Sequence, residues 1–91
     1  MKEYYETNMK KRKLFKIYEF PVVVEKDGAG YFFAIALSLQ GCYAQGKSLE
    51  GALINIREVI KLHIEDRLAL NESIPVVKPV SFSSVEVKVK V

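Results

Sequence analysis

The sequence has no tryptophan, one cysteine (Cys42), one histidine (His63), three prolines and five glycines in 91 residues, and each scarcity removes a class of function. A single cysteine cannot build an internal disulfide framework, a usage that fits a reducing, cytoplasmic compartment. One cysteine and one histidine leave half of a tetrahedral zinc shell to carboxylates at no recognisable spacing. Nucleophilic catalysis needs a base within hydrogen-bond reach of the nucleophile. Here Cys42 follows Gly41 in a strand-like stretch while His63 falls in the middle of a helical pattern. Cys42 therefore reads as a small buried residue and His63 as a structural one. Gly28 and Gly30 are followed neither by a third glycine nor by Gly-Lys-Ser/Thr, so they form no phosphate loop, and no cofactor is expected. The longest apolar run, Tyr31 to Leu37, is far too short to cross a bilayer. The charged N-terminus has no apolar segment of the signal-peptide kind.

What is present is a 49% hydrophobic, 27% charged chain with five Tyr and five Phe, the composition of one small globular domain. A domain this short buries only about two thirds of its unfolded surface, so homo-oligomerisation, as a dimer or tetramer, or a protein partner is expected. The formal charge of +3 is uneven: residues 1–16 hold six basic and two acidic side chains, net +4, and residues 17–91 hold eight and nine, net −1. Residues 1–13 read as a basic, frayed extension to a single domain over residues 14–91. Met9, just before the basic run, is an alternative start. Lys10, Lys11, Arg12 and Lys13, with Tyr4, Tyr5 and Phe15 nearby, are the one nucleic-acid-like feature, able to make a few salt-sensitive phosphate contacts.

Periodicity supplies the elements. Leu14 to Glu25 is rich in Val, Ile, Phe and Tyr, and Tyr18, Phe20, Val22 and Val24 face away from Glu19 and Glu25, the pattern of a strand with one buried face. Pro21 must sit where its missing N–H is not needed. Lys26-Asp27-Gly28-Ala29-Gly30 is turn chemistry. The second arm, Tyr31 to Leu37, is apolar on both sides, which predicts cover on both faces, and Gly41 to Gln45 is a third strand. Ser48 caps a helix running to about Leu70, with Glu50 in its first turn. Its apolar stripe is Leu49, Ala52, Leu53, Ile56, Ile60 and Ile64, with His63 and Arg67 at the edges. Asn71 can end it in a left-handed conformation, and Pro75 prevents its resumption. Val85, Val87, Val89 and Val91 alternate with Glu86, Lys88 and Lys90 as a last strand. The expected fold is α+β, in the order β-β-β-α-β: an antiparallel meander, one helix packed on the sheet, and a fourth returning strand in the same sheet.

That order also occurs in ribonuclease H-like folds, whose metal-dependent nucleases cluster several carboxylates around two ions. Glu19 and Glu25 lie six residues apart, roughly 20 Å along a strand. Glu58 points away from the apolar stripe and Glu86 lies on the last strand. A degenerate nuclease is therefore an alternative reading, with solvated acids the plainer one.

Phe20-Pro-Val-Val-Val-Glu-Lys-Asp-Gly-Ala-Gly-Tyr31, Leu39-Gln-Gly-Cys42, Gln45-Gly46, Ser48-Leu-Glu-Gly-Ala52 and Asn55-Ile56-Arg-Glu-Val-Ile60 together resemble the HicB antitoxin family over about residues 17–76. The resemblance implies a partial ribonuclease H-like domain without enzymatic activity. It also implies an antitoxin that binds and masks a HicA-type toxin, a small mRNA-cleaving ribonuclease. Many members add a C-terminal DNA-binding module, and the short stretch after Pro75 leaves none expected here. Gln40 stands where the family usually has proline, and Gly51 where glutamate is common, which costs the helix a capping-box carboxylate and about 1 kcal/mol of propensity relative to Ala. Members are usually acidic, whereas this chain is basic. The acids at the hairpin, Glu25 and Asp27, with Tyr31 for apolar contact, are the expected toxin-binding residues.

Overall fold

The computed structural model describes residues 2–8, 11–75 and 77–91. Met1, Met9 and Lys10, which carry the two possible starts and the first lysine of the basic block, lie outside them. In chain order the described elements are β1 (Lys2–Asn8), β2 (Lys11–Ile17), β3 (Val22–Lys26), β4 (Phe32–Ala36), β5 (Tyr43–Gly46) and the helix α1 (Leu49–Ala69). β3, β4 and β5 form an antiparallel three-stranded meander in that spatial order, and β1 and β2 pair as a separate two-stranded ribbon. The class is α+β, with the helix packed on the meander.

The expected hairpin is present. Val22 stands opposite Ala36 and Val24 opposite Ala34, while Ala34 stands opposite Ala44 on the next strand. Residues on one side of a pleat recur every second position, so Val22, Val24, Ala34, Ala36 and Ala44 share the face that the helix covers. Ala34 and Ala36 are fully buried there with Leu39, Cys42, Ala52, Ile56 and Ile64, and Tyr18, Phe20, Val59, Ile60 and Ile74 pack around them. Small residues on the central strand let a helix approach closely. Gly46 takes this furthest: a Cβ there would fall 2.7 Å from the carbonyl carbon of Gly51 and closer still to the amide nitrogen of Ala52.

The helix ends follow their chemistry. Ser48 Oγ accepts from the Gly51 amide at 2.9 Å, and Glu50 lies in the first turn. Asn71 adopts φ +57°. Glu72 N–H bonds the Arg67 carbonyl at 2.9 Å and Asn71 N–H that of Leu68 at 3.2 Å, which is the paired arrangement of a Schellman terminus. Arg67 Nη1 also donates to the Ser73 carbonyl at 3.1 Å, tying down the chain beyond the helix.

Four expectations need correction. The stretch Leu14 to Glu25 is not one strand: β2 ends at Ile17 because it pairs with β1, and Pro21, without an amide hydrogen, precedes β3 and offers only its carbonyl, to Leu37 N–H at 3.1 Å. The stretch expected to be a basic extension contains a strand, since Lys2–Asn8 pairs in register with Lys11–Ile17. Leu49 and Leu53 are exposed, and Val59 joins the covered stripe instead, because the helix lies across β4 and β5 rather than centrally on the sheet. The fourth returning strand is not formed: residues 85–91 carry no strand and their valines are exposed. Alternation specifies a segment that can pair, but pairing also needs a free edge held alongside it.

Candidate functional site

The hairpin between β3 and β4 brings Glu25, Asp27 and Tyr31 to one end of the sheet. Asp27 builds the turn it occupies: its Oδ1 accepts from the amides of Ala29 and Tyr31, each at 2.9 Å. Its own amide donates to the Tyr31 carbonyl at 2.9 Å, and Gly30, at φ +90°, donates to the Asp27 carbonyl at 3.2 Å. An aspartate closing its own turn in this way is held in one geometry without outside help. Glu25 is exposed on the last part of β3, opposite Phe33. Between the two acids, Lys26 places its ammonium 5.4 Å from the Phe32 ring centre, on the helix side. Tyr31 is partly exposed and borders a shallow depression lined by Gln45, Gly46, Lys47 and Asn55. Asn55 reaches from the helix to the Gln45 carbonyl at 2.7 Å, fixing the depression's floor.

The face of the sheet turned away from the helix was expected to be covered and is open. Val23, Phe33 and Ile35 are half-buried there, while Tyr31, Leu37 and Tyr43 are exposed. Phe33 and Tyr43 stack, with ring centres 5.7 Å apart. This apolar surface continues from Tyr31 and adjoins Glu25. Sequence reasoning missed it because a β4 apolar on both sides reads as doubly covered. The pairing of Phe33 with Gln45 and Ile35 with Tyr43 is what shows the second face to be one shared surface.

The basic block lies on the ribbon. Lys11, Arg12 and Lys13 are exposed at the start of β2, and Lys10 lies outside the described residues. The Arg12 guanidinium sits 4.0 Å from the Tyr5 ring centre, Tyr4 stacks on Phe15 at 5.6 Å, and Lys16 pairs with Glu3 at 3.3 Å. No apolar alternation in Lys2–Asn8 announces this ribbon. It is visible only once two strands are aligned.

Cys42 is buried, and burial raises its thiol pKa, so the sulfur stays protonated at neutral pH. His63 is half-buried at the edge of the covered stripe. Glu19, Glu25, Glu58 and Glu86 are all exposed and belong to separate parts of the chain. Among the described residues no three His, Cys, Asp or Glu side chains are grouped so that they could hold a metal ion. No described helix is long and apolar enough to cross a membrane.

Comparison with known proteins gives the arrangement a context. The family profile described as a HicB-like antitoxin of bacterial toxin-antitoxin systems matches residues 20–88. The UPF0150 protein Ta0767 of Thermoplasma acidophilum is 42% identical over 57 residues, covering 63% of this chain and 83% of that protein. The UPF0150 protein ssr1765 of Synechocystis is 39% identical over 70 residues, covering 72% and 89%. A UPF0150 protein of Helicobacter pylori is 54% identical over 44 residues, covering 48% and 60%. No solved structure matches. The matched region takes in the meander, the hairpin end and the helix, and on its extent this chain belongs to the HicB-like antitoxin family.

Proposed function

We propose that the protein neutralises a HicA-type mRNA-cleaving ribonuclease by binding over its active surface, acting by occlusion and not by catalysis. The observation that carries this reading is the hairpin end. Two exposed carboxylates, Glu25 and Asp27, stand beside Tyr31 on a turn fixed by Asp27 Oδ1, and the open apolar face with Phe33 and Tyr43 continues from them. A protein that cleaves RNA must attract phosphates, so its working surface is basic, and a preset acidic turn next to an apolar patch complements such a surface with little ordering cost. Asp27 keeps Oδ2 for the partner while Oδ1 holds the turn. Membership of an antitoxin family supports the same assignment.

The test is growth. Cells expressing a cognate HicA-type toxin are expected to stop growing, and co-expression of this chain to restore growth. Failure to restore growth with both proteins present would remove the proposal.

A second reading has its own observation: Lys11, Arg12 and Lys13 on an exposed two-stranded ribbon, a shape that can enter the major groove of DNA. Binding of a DNA duplex from the gene's own upstream region, lost on deletion of residues 2–17, is the result this reading requires.

A further inference from the structure

The ribbon of β1 and β2 lies before the residues that the family profile matches, so membership assigns it nothing. Its two faces differ. Residues directly opposite each other share a face and successive residues alternate, so the register puts Glu3, Tyr5, Arg12 and Lys16 on one face and Lys2, Tyr4, Lys11, Lys13 and Phe15 on the other. On the first face the cations are already engaged: Lys16 pairs with Glu3 at 3.3 Å, and Arg12 covers the Tyr5 ring at 4.0 Å. On the second, none of Lys2, Lys11 and Lys13 is ion-paired among the described residues. Tyr4 and Phe15 stack across the strands there with ring centres 5.6 Å apart, yet stay 40% and 38% exposed.

This second face does not stop at the end of the ribbon. Lys2 and Ile17, its last pair, line a cleft together with Tyr18, Phe20, Lys78 and Phe82, and the one acid of that cleft is Glu19. Phe82 is exposed, and Tyr18 stacks beside Phe20 with ring centres 6.2 Å apart. Cations and exposed rings therefore alternate along one track: Lys11 and Lys13, then Tyr4 and Phe15, then Lys2, then Lys78 and Phe82.

Resting on the ribbon as the nucleic-acid contact of the second reading, we infer that this track binds single-stranded RNA, its lysines on phosphates and its bases stacked on Tyr4, Phe15 and Phe82. A row of cations follows a phosphate backbone, and exposed rings take unpaired bases, the combination that holds single strands with little regard to sequence. A duplex would use the lysines and leave the rings idle, because its bases are already stacked on one another. Glu6 and Asn8 select RNA over DNA. They stand on the same face, opposite Lys13 and Lys11, where a carboxylate repels phosphate but accepts from a 2′-hydroxyl, the group that deoxyribose lacks.

The experiment measures fluorescence anisotropy of oligouridine, of its deoxy counterpart and of a random-sequence DNA duplex, each titrated with the full-length chain across a salt series. The expected order of affinity is oligouridine, then the deoxy oligomer, then the duplex. Y4I/F15I keeps strand propensity and an apolar cross-strand contact, and should weaken RNA binding at least about fivefold, the loss of one stacked base. Y5I, on the other face, should leave binding unchanged. K11Q/K13Q should lower the slope of log affinity against log salt by about 1.4, the share of two phosphate contacts on a single strand, and E6A/N8A should bring the RNA and deoxy oligomers level. Tightest binding to the duplex would overturn the single-strand assignment and leave the duplex reading standing. Equal binding of the RNA and deoxy oligomers would overturn the assignment to RNA, and equal losses from Y4I/F15I and Y5I the assignment to this face. No binding to any of the three, or binding that survives deletion of residues 2–17, would remove both readings of the ribbon.

Discussion

Gly46 shows how one residue can set the distance between two layers. Its missing Cβ is what lets the end of β5 lie against the first turn of α1, and any side chain there meets backbone, which has nowhere to go. Gly46→Ala is therefore expected to destabilise the protein by about 1–3 kcal/mol, the usual cost of overpacking, read as a lowered midpoint in urea with an unchanged slope. The sequence contains Gly46 only as the end of a strand, because a close approach is a property of two elements and no single segment reports it. Ser48 and Asn71 were legible because caps act locally, through backbone groups within a few residues. Cys42 was also legible as buried, and its burial has a pH consequence. Its folded pKa is raised, so the stability it contributes is complete below the thiol's ordinary range and is lost as pH rises through the folded value. In alkaline buffer the unmodified protein should lose stability faster than Cys42→Ala, as thermal unfolding across that range will measure.

Among the elements, α1 and the β3–β4 hairpin were readable from caps, a 3.6-residue stripe and turn residues. The stripe was misread at Leu49 and Leu53 because periodicity locates an apolar face but not which strands it will cover. The β1–β2 ribbon was not readable at all. Lys2–Asn8 has no alternation, and the pairing rests on cross-strand contacts between exposed residues: Tyr4 with Phe15, Arg12 with Tyr5, Lys16 with Glu3. Such contacts are each worth a fraction of a kcal/mol to about 1 kcal/mol, and two strands alone are marginal in water. Hydrogen exchange should therefore be fast throughout β1 and β2 and slow at Ala34, Ala36 and Ile56, which lie in the core. Comparable protection in the ribbon and in β4 would mean that the ribbon is held by something beyond these pairs. Residues 85–91 are the converse case: their alternation announces a strand, and none is formed there.

At the scale of the whole molecule, the chain extends over 66 × 28 × 23 Å, a helix-on-sheet body with a basic ribbon and an apolar tail projecting from it. The net positive charge therefore describes the ribbon more than the body, and the body, net −1 over residues 17–91, carries the acidic hairpin proposed to meet a toxin. The division of charge was visible in the sequence, whereas the open face with Phe33 and Tyr43 emerged only from strand register. These features predict a specific dependence of binding on charge. Neutralising Glu25 and Asp27 together, as E25Q/D27N, keeps the Oδ1 acceptor that closes the turn and removes the attraction. It should weaken binding at least about tenfold, or roughly 1.4 kcal/mol, with the loss shrinking as salt is raised. The most direct measurement is titration calorimetry of this chain against the purified, catalytically inactivated toxin from the adjacent gene. A saturable complex that is weakened by E25Q/D27N in low salt is the predicted result, and no heat of association with a folded toxin, or binding indifferent to those two charges, would contradict it.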